Sequence, residues 1–237
     1  GAKAMPLPIF EEKDFGFDRD TFVKLVSPRT RLVVINSPTN PTGAILARED
    51  LELVAEMAQK YDFYVLSDEI YSRLVFEGEH FSIASLPGMK ERTIIVDGMS
   101  KTYAMTGWRV GWLFAPAWIM DQVMKIHDAT AICAPTVSQI AALAALTGPQ
   151  DCVAEISAAL ERRRDLICAR MDAMDGFFRY VKPKGAYYVM ARYAAPGVSS
   201  MDMALRILRE AKVVCVPGAA FGPQGEGHVR FSFGGTE

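Results

Sequence analysis

Residues 31–114 alternate short runs of β-branched and aromatic side chains with a single amphipathic helical pattern, and this alternation restricts the fold more than any other feature of the chain. Residues 31–35 (RLVVI), 63–66 (FYVL) and 93–96 (TIIV) are apolar almost without interruption. That is the pattern of strands covered on both faces, not of strands with one wet side. Between the first two runs, Leu51, Val54, Ala55 and Ala58 recur at helical spacing over residues 48–61. Strand, helix and strand of this kind predict an α/β fold with a mostly parallel, doubly wound sheet. Residues 110–114 add one more strand after Gly107.

Beyond Pro116 the pattern changes. Residues 119–126 and 137–146 read as helices, and residues 150–174 form a long amphipathic pattern carrying Val153, Ile156, Leu160, Leu166 and Ile167. The remainder mixes strands (178–181, 187–191, 213–216 and 229–233) with one helix near 201–211, which predicts a smaller α+β domain. The expected division is a large domain over 1–150 and a second over 151–237. At the start, Pro6 and Pro8 leave residues 4–10 an edge strand at best, and Asp18 is placed to cap a short helix over 18–26.

Half of the 237 residues are hydrophobic, enough for a substantial core, and 26 Lys+Arg against 28 Asp+Glu leave no bulk field for nucleic acid or an anionic membrane. The four cysteines are far apart and the three histidines lack metal-ligand spacing, so no metal is expected and the thiols read as reduced. No twenty-residue apolar run exists, and GAKAMPLPIF has no basic-then-apolar layout, so a cytoplasmic protein is expected.

Polar residues cluster just after the strands. Asn40 follows the first, Asp68 and Tyr71 the second, and Ser100 and Lys101 the third, with Arg109 eight residues on. Open α/β sheets bind ligands at the carboxyl ends of their strands. Any one of these residues alone reads as a solvated loop group; their shared placement at successive strand ends argues for a site. A lysine desolvated there becomes a nucleophile toward a carbonyl. A pyridine aldehyde needs that amine, a carboxylate for its ring nitrogen, donors to its hydroxyl, and cations or amides for its phosphate.

The segments NSPTNPTG, SDEIY, SKTYAMTGWRVGW, KGAYYVM and VPGAAFG…HVRFSF resemble, in order and over essentially the whole chain, the fold type I pyridoxal-phosphate aminotransferases of class I/II, the aspartate-aminotransferase-like branch. The resemblance implies that Lys101 is the Schiff-base lysine and proton shuttle, and that Asp68 pairs with the pyridine nitrogen. Asn40 and Tyr71 would bond the ring hydroxyl, Arg109 with Ser100 would bind the phosphate, and Arg230 would clamp the substrate α-carboxylate. It also implies a homodimer acting on amino acids and 2-oxo acids. Gly98 stands where family chains often carry a phosphate-binding serine. The chain is shorter than the family and is expected to be a fragment that starts after the first large-domain strand and helix. A carbon–sulfur lyase on the same scaffold and a catalytically incompetent cofactor-binding module are the alternatives; the TYAMTGWRVG continuation is more like the transaminase branch.

Overall fold

The computed structural model of the chain describes residues 1–235; the last two residues of the expected 151–237 domain lie outside the described residues. In chain order the elements are α1 (Arg19–Leu25), β1 (Leu32–Asn36), α2 (Arg48–Tyr61), β2 (Tyr64–Asp68), β3 (Thr93–Gly98), α3 (Met99–Thr102), β4 (Gly111–Phe114), α4 (Ala117–Thr130), α5 (Thr136–Thr147), α6 (Asp151–Asp172), β5 (Phe178–Tyr180), β6 (Tyr188–Tyr193), α7 (Ser200–Ala211), β7 (Val216–Pro217) and β8 (His228–Ser232). They fall into two compact units. One holds Val26–Pro38 and Leu46–Ser157, the other Gly1–Leu25, Thr39–Ile45 and Ala158–Glu237.

The first unit carries a four-stranded sheet in the order β1-β2-β3-β4. The pairs β1–β2 and β2–β3 are parallel, and β4 closes the order antiparallel to β3. The α2 helix buries the expected Leu51, Val54, Ala55 and Ala58, and Phe63, Val65, Leu74, Ile83, Met89 and Met99 are wholly buried. The strands run past their apolar stretches. Asn36 pairs with Asp68, and Asp68 with Val96, so polar residues complete the ladder. Backbone pairing is indifferent to side-chain polarity, which is why composition places the strand ends too early. One expectation fails: Leu32 and Val34 of β1 are 45% and 64% exposed. β1 is the last strand of its order, and its apolar run is not covered on both faces.

The second unit has an antiparallel sheet in the order β5-β6-β8-β7. Val189, Ala191, Val229 and Phe231 pack with Met203 and Ala204 of α7 and Met171 of α6. The strand expected over 213–216 reduces to Val216 and Pro217, with Val213 and Val214 exposed. Residues 4–10 form no strand; Ile9 makes a single bridge to Phe17. Asp18 does cap α1, its Oδ2 accepting the Thr21 N–H at 2.9 Å.

Within this unit the segment 39–45 is tied down through Gly43. Its carbonyl accepts the N–H groups of Lys184 and Gly185 at 2.9 and 3.0 Å, and its own N–H reaches Thr39 O at 2.8 Å. Gly43 has φ +71°, and a Cβ there would stand 2.5 Å from the Pro183 Cβ. Gly43→Ala is therefore expected to destabilise this unit by about 2–4 kcal/mol, from left-handed strain plus overpacking. Chemical denaturation of the two proteins, compared by midpoint at equal slope, measures it.

Candidate active site

Parallel pairing fixes where Asp68 sits. Its carbonyl accepts the Ser37 N–H at 3.3 Å and Asn36 Nδ2 at 3.1 Å from β1, while the next residue, Glu69, donates its N–H to Val96 O of β3 at 2.9 Å. Asn36 thus occupies the strand end beside Asp68, a residue that sequence reasoning passed over because its polarity looked like turn chemistry. The half-buried Asp68 carboxyl accepts the Ile70 N–H through Oδ1 at 3.2 Å. Burial pushes it up from the ordinary carboxylate range; the Ile70 N–H opposes this, the Glu69 charge adds to it, and the Lys101 ammonium pulls it back.

β3 ends at Gly98 and turns directly into the single turn of α3, so Lys101 emerges just past the strand on the neighbouring rung. Its Nζ lies 5.8 Å from the centre of the buried Tyr71 ring. Asp68, Tyr71 and Lys101 are therefore brought together within one unit. A half-buried carboxylate, a phenol and an amine grouped in this way fit a protonated ring nitrogen, a ring hydroxyl and an adjacent aldehyde. The pyridine cofactor that the resemblance implies matches this donor set.

Ser100 sits in the same turn as Lys101 and is partly buried. Arg109, in the left-handed region at φ 52°, is exposed and donates Nη1 to Thr106 O at 2.8 Å. It precedes by two residues Gly111, which pairs with Gly98, so it lies at the same sheet end as Lys101. A Cβ at Gly98 would meet the Gly111 Cα at 2.8 Å. The β3–β4 approach thus leaves no room for a serine at this position.

A buried cluster that sequence reading assigned no role adjoins Asp68. Glu69, 7% exposed, accepts Ser67 Oγ at 2.9 Å and Ser82 Oγ at 2.6 Å on Oε1, and His80 Nε2 lies 3.1 Å from Oε2. Burial alone would raise this carboxyl; the bonds from His80, Ser82 and Ser67 more than offset that and hold it below its usual range. Asp97, also half-buried, is pushed up by burial and by the Glu69 and Asp68 charges, against its bond from Gly98 N–H at 2.7 Å. Glu69 lies inside the SDEIY motif; His80 joins it from eleven residues away, which no local pattern signals.

The other unit holds the second predicted group. Arg230 on β8 donates Nη1 to Asn40 Oδ1 at 2.9 Å. Its guanidinium lies 4.5 Å from the Tyr188 ring centre and 5.2 Å from that of Phe221, two partners absent from the sequence reading. Arg230 Nε is buried without a hydrogen-bond partner among the described residues. A guanidinium packed against aromatic faces with a donor unsatisfied is suited to a planar carboxylate. Among the described residues no cluster of three or more metal-ligating side chains occurs, and no helix is long and apolar enough to cross a membrane.

Known proteins resemble this chain in sequence and in fold. The model of the family described as aminotransferase class I and II matches residues 1–237. Aromatic-amino-acid aminotransferase 2 of Thermococcus litoralis is 44% identical over 98% of this chain and 60% of its own length. Aspartate aminotransferase of Pyrococcus abyssi is 43% identical with the same coverage. The crystal structure of an aromatic aminotransferase from Pyrococcus horikoshii superposes with a TM-score of 0.92 at 43% identity, covering 97% of this chain and 62% of that one. The chain spans about 60% of the length of the curated relatives it matches. Motifs, fold and these relatives together mean that the chain belongs to the class I and II aminotransferases.

Proposed function

We propose that the protein transfers an amino group between an amino acid and a 2-oxo acid with pyridoxal phosphate as cofactor. The observation that carries this reading is the grouping of Lys101, Asp68 and Tyr71 at the ends of two adjacent parallel strands. When bound, the cofactor supplies a carbonyl that condenses with amines and an electron-poor ring that holds the charge left when Cα loses its proton.

The chain's own residues then have distinct tasks. Lys101 is the anchoring amine and, once released, the base that takes the Cα proton and returns it. Its place on the short turn that follows β3 sets the amine beside the Tyr71 ring. Asp68 holds a cation at the ring nitrogen, and its burial makes it a strong hydrogen-bond acceptor for that proton. Tyr71 is the donor to the ring hydroxyl, and Asn40 is a second donor by resemblance. Ser100 and Arg109 are assigned the phosphate, Arg109 as a fork that trades its Thr106 carbonyl for phosphate oxygens. Arg230 takes the substrate α-carboxylate, oriented by Asn40 and by the two aromatic faces.

A homodimer in the cytoplasm belongs to the same reading. Ile126, Ile132, Val137, Ile140 and Leu143 are each more than 60% exposed on and between α4 and α5. Apolar surface of that extent supports burial against a second copy; size-exclusion chromatography with light scattering tests it.

The reaction itself is tested by incubating the full-length protein with 2-oxoglutarate and a panel of amino acids. Glutamate formation supports transamination; ammonia and pyruvate release without it would assign a lyase instead. Lys101→Ala is expected to abolish both turnover and borohydride-trapped cofactor seen by mass spectrometry, with the circular dichroism spectrum unchanged. Retained turnover would remove Lys101 from its role. Asp68→Asn is expected to keep the trapped adduct while turnover falls on the order of 10²-fold or more; an unaltered rate would remove Asp68 from the ring nitrogen.

A further inference from the structure

Glu69, the residue after β2, is fixed by three side-chain partners, Ser67, Ser82 and His80. His80 Nε2 faces the Glu69 carboxylate at 3.1 Å, whereas Nδ1 is buried with no hydrogen-bond partner among the described residues. The Glu69 charge acts on two neighbouring carboxyls, Asp68 and Asp97.

We propose that Glu69 is a positioning residue of the cofactor site: a buried anion, clamped by Ser67, Ser82 and His80, that anchors the exit of β2 and strengthens the hold of Asp68 on a cationic ring. The proposal rests on the cofactor reading above. The backbone supports the first half, because Glu69 N–H is bonded to Val96 O and Glu69 O accepts the Ser72 N–H at 2.8 Å, fixing the turn between Asp68 and Tyr71. Electrostatics supports the second. A carboxylate next to Asp68 raises its affinity for a proton, and a ring cation between Asp68 and solvent is drawn to two negative charges.

The test compares two ligands in the full-length protein: pyridoxal phosphate, and deazapyridoxal phosphate, in which carbon replaces the ring nitrogen and no cation can form. Glu69→Gln keeps the shape and removes the charge. It is expected to weaken pyridoxal phosphate on the order of tenfold and the deaza analogue less than about twofold. A purely structural lesion would weaken both alike, so equal losses, or none, would overturn the proposal. His80→Gln keeps a donor to Glu69 and leaves its carboxylate in place, so the preference for pyridoxal phosphate over the deaza analogue is expected to fall by less than about twofold. A selective loss in H80Q would show that the preference follows the ring and not the Glu69 charge and would also overturn it, whether or not E69Q folds. Failure of the parent protein to bind pyridoxal phosphate at all would instead overturn the cofactor reading, and this proposal with it.

Discussion

Parallel strand pairing carries most of the weight in this protein. A strand that hydrogen-bonds to parallel neighbours on both sides has its register fixed by them, and β2 lies between β1 and β3 with Asp68 on its last rung. The Asp68 carbonyl is used by β1, and the following N–H is used by β3. With the main chain held from both directions, the carboxylate has little freedom to relax toward water, and its burial becomes a chemical property. Lys101 inherits its position from the same ladder, because the turn that carries it starts at the residue where β3 stops. An amine and an acid are thus placed by backbone geometry before either side chain makes a specific contact.

Glycine decides how closely the ladder can be approached. Gly98 and Gly111 face one another where β3 meets β4, and neither has space for a side chain. The family resemblance had made the absence of serine at position 98 look like a lost phosphate ligand. The packing gives it a positive reason: the antiparallel edge strand comes too near. Gly43 has the corresponding task in the other unit, where its left-handed backbone lets the 39–45 segment lie against residues 183–185 and brings Asn40 to Arg230.

The buried acids of the sheet end show how one kind of side chain takes different states from its surroundings. Asp68 and Asp97 are pushed up by burial with few donors to compensate, whereas Glu69, more deeply buried, is held down by three. The difference is made by Ser67, Ser82 and His80, not by depth. Hydrogen bonds to the charged form outweigh desolvation when enough of them converge. Such a cluster is stable only when complete, which explains why residues from β2 and from the polar segment after it must meet there.

Read alone, the sequence determined the features that depend on local periodicity. The helix over Arg48–Tyr61, the parallel character of the strands and the arrival of Lys101 just beyond a strand all follow from apolar spacing, and the motifs determined the family. The tertiary structure decided what lies between residues distant in the chain. Asn40 follows β1 in the chain, and its Oδ1 accepts a bond from Arg230, 190 residues away along the chain, within the second unit. Asn36, on the last rung of β1, pairs with Asp68. The exposure of β1, the aromatic faces beside Arg230 and the meeting of His80 with Glu69 were likewise invisible. Side-chain pattern encodes which way a residue faces within its own element; which other element it faces is settled only when backbone pairing and burial fix the path of the whole chain.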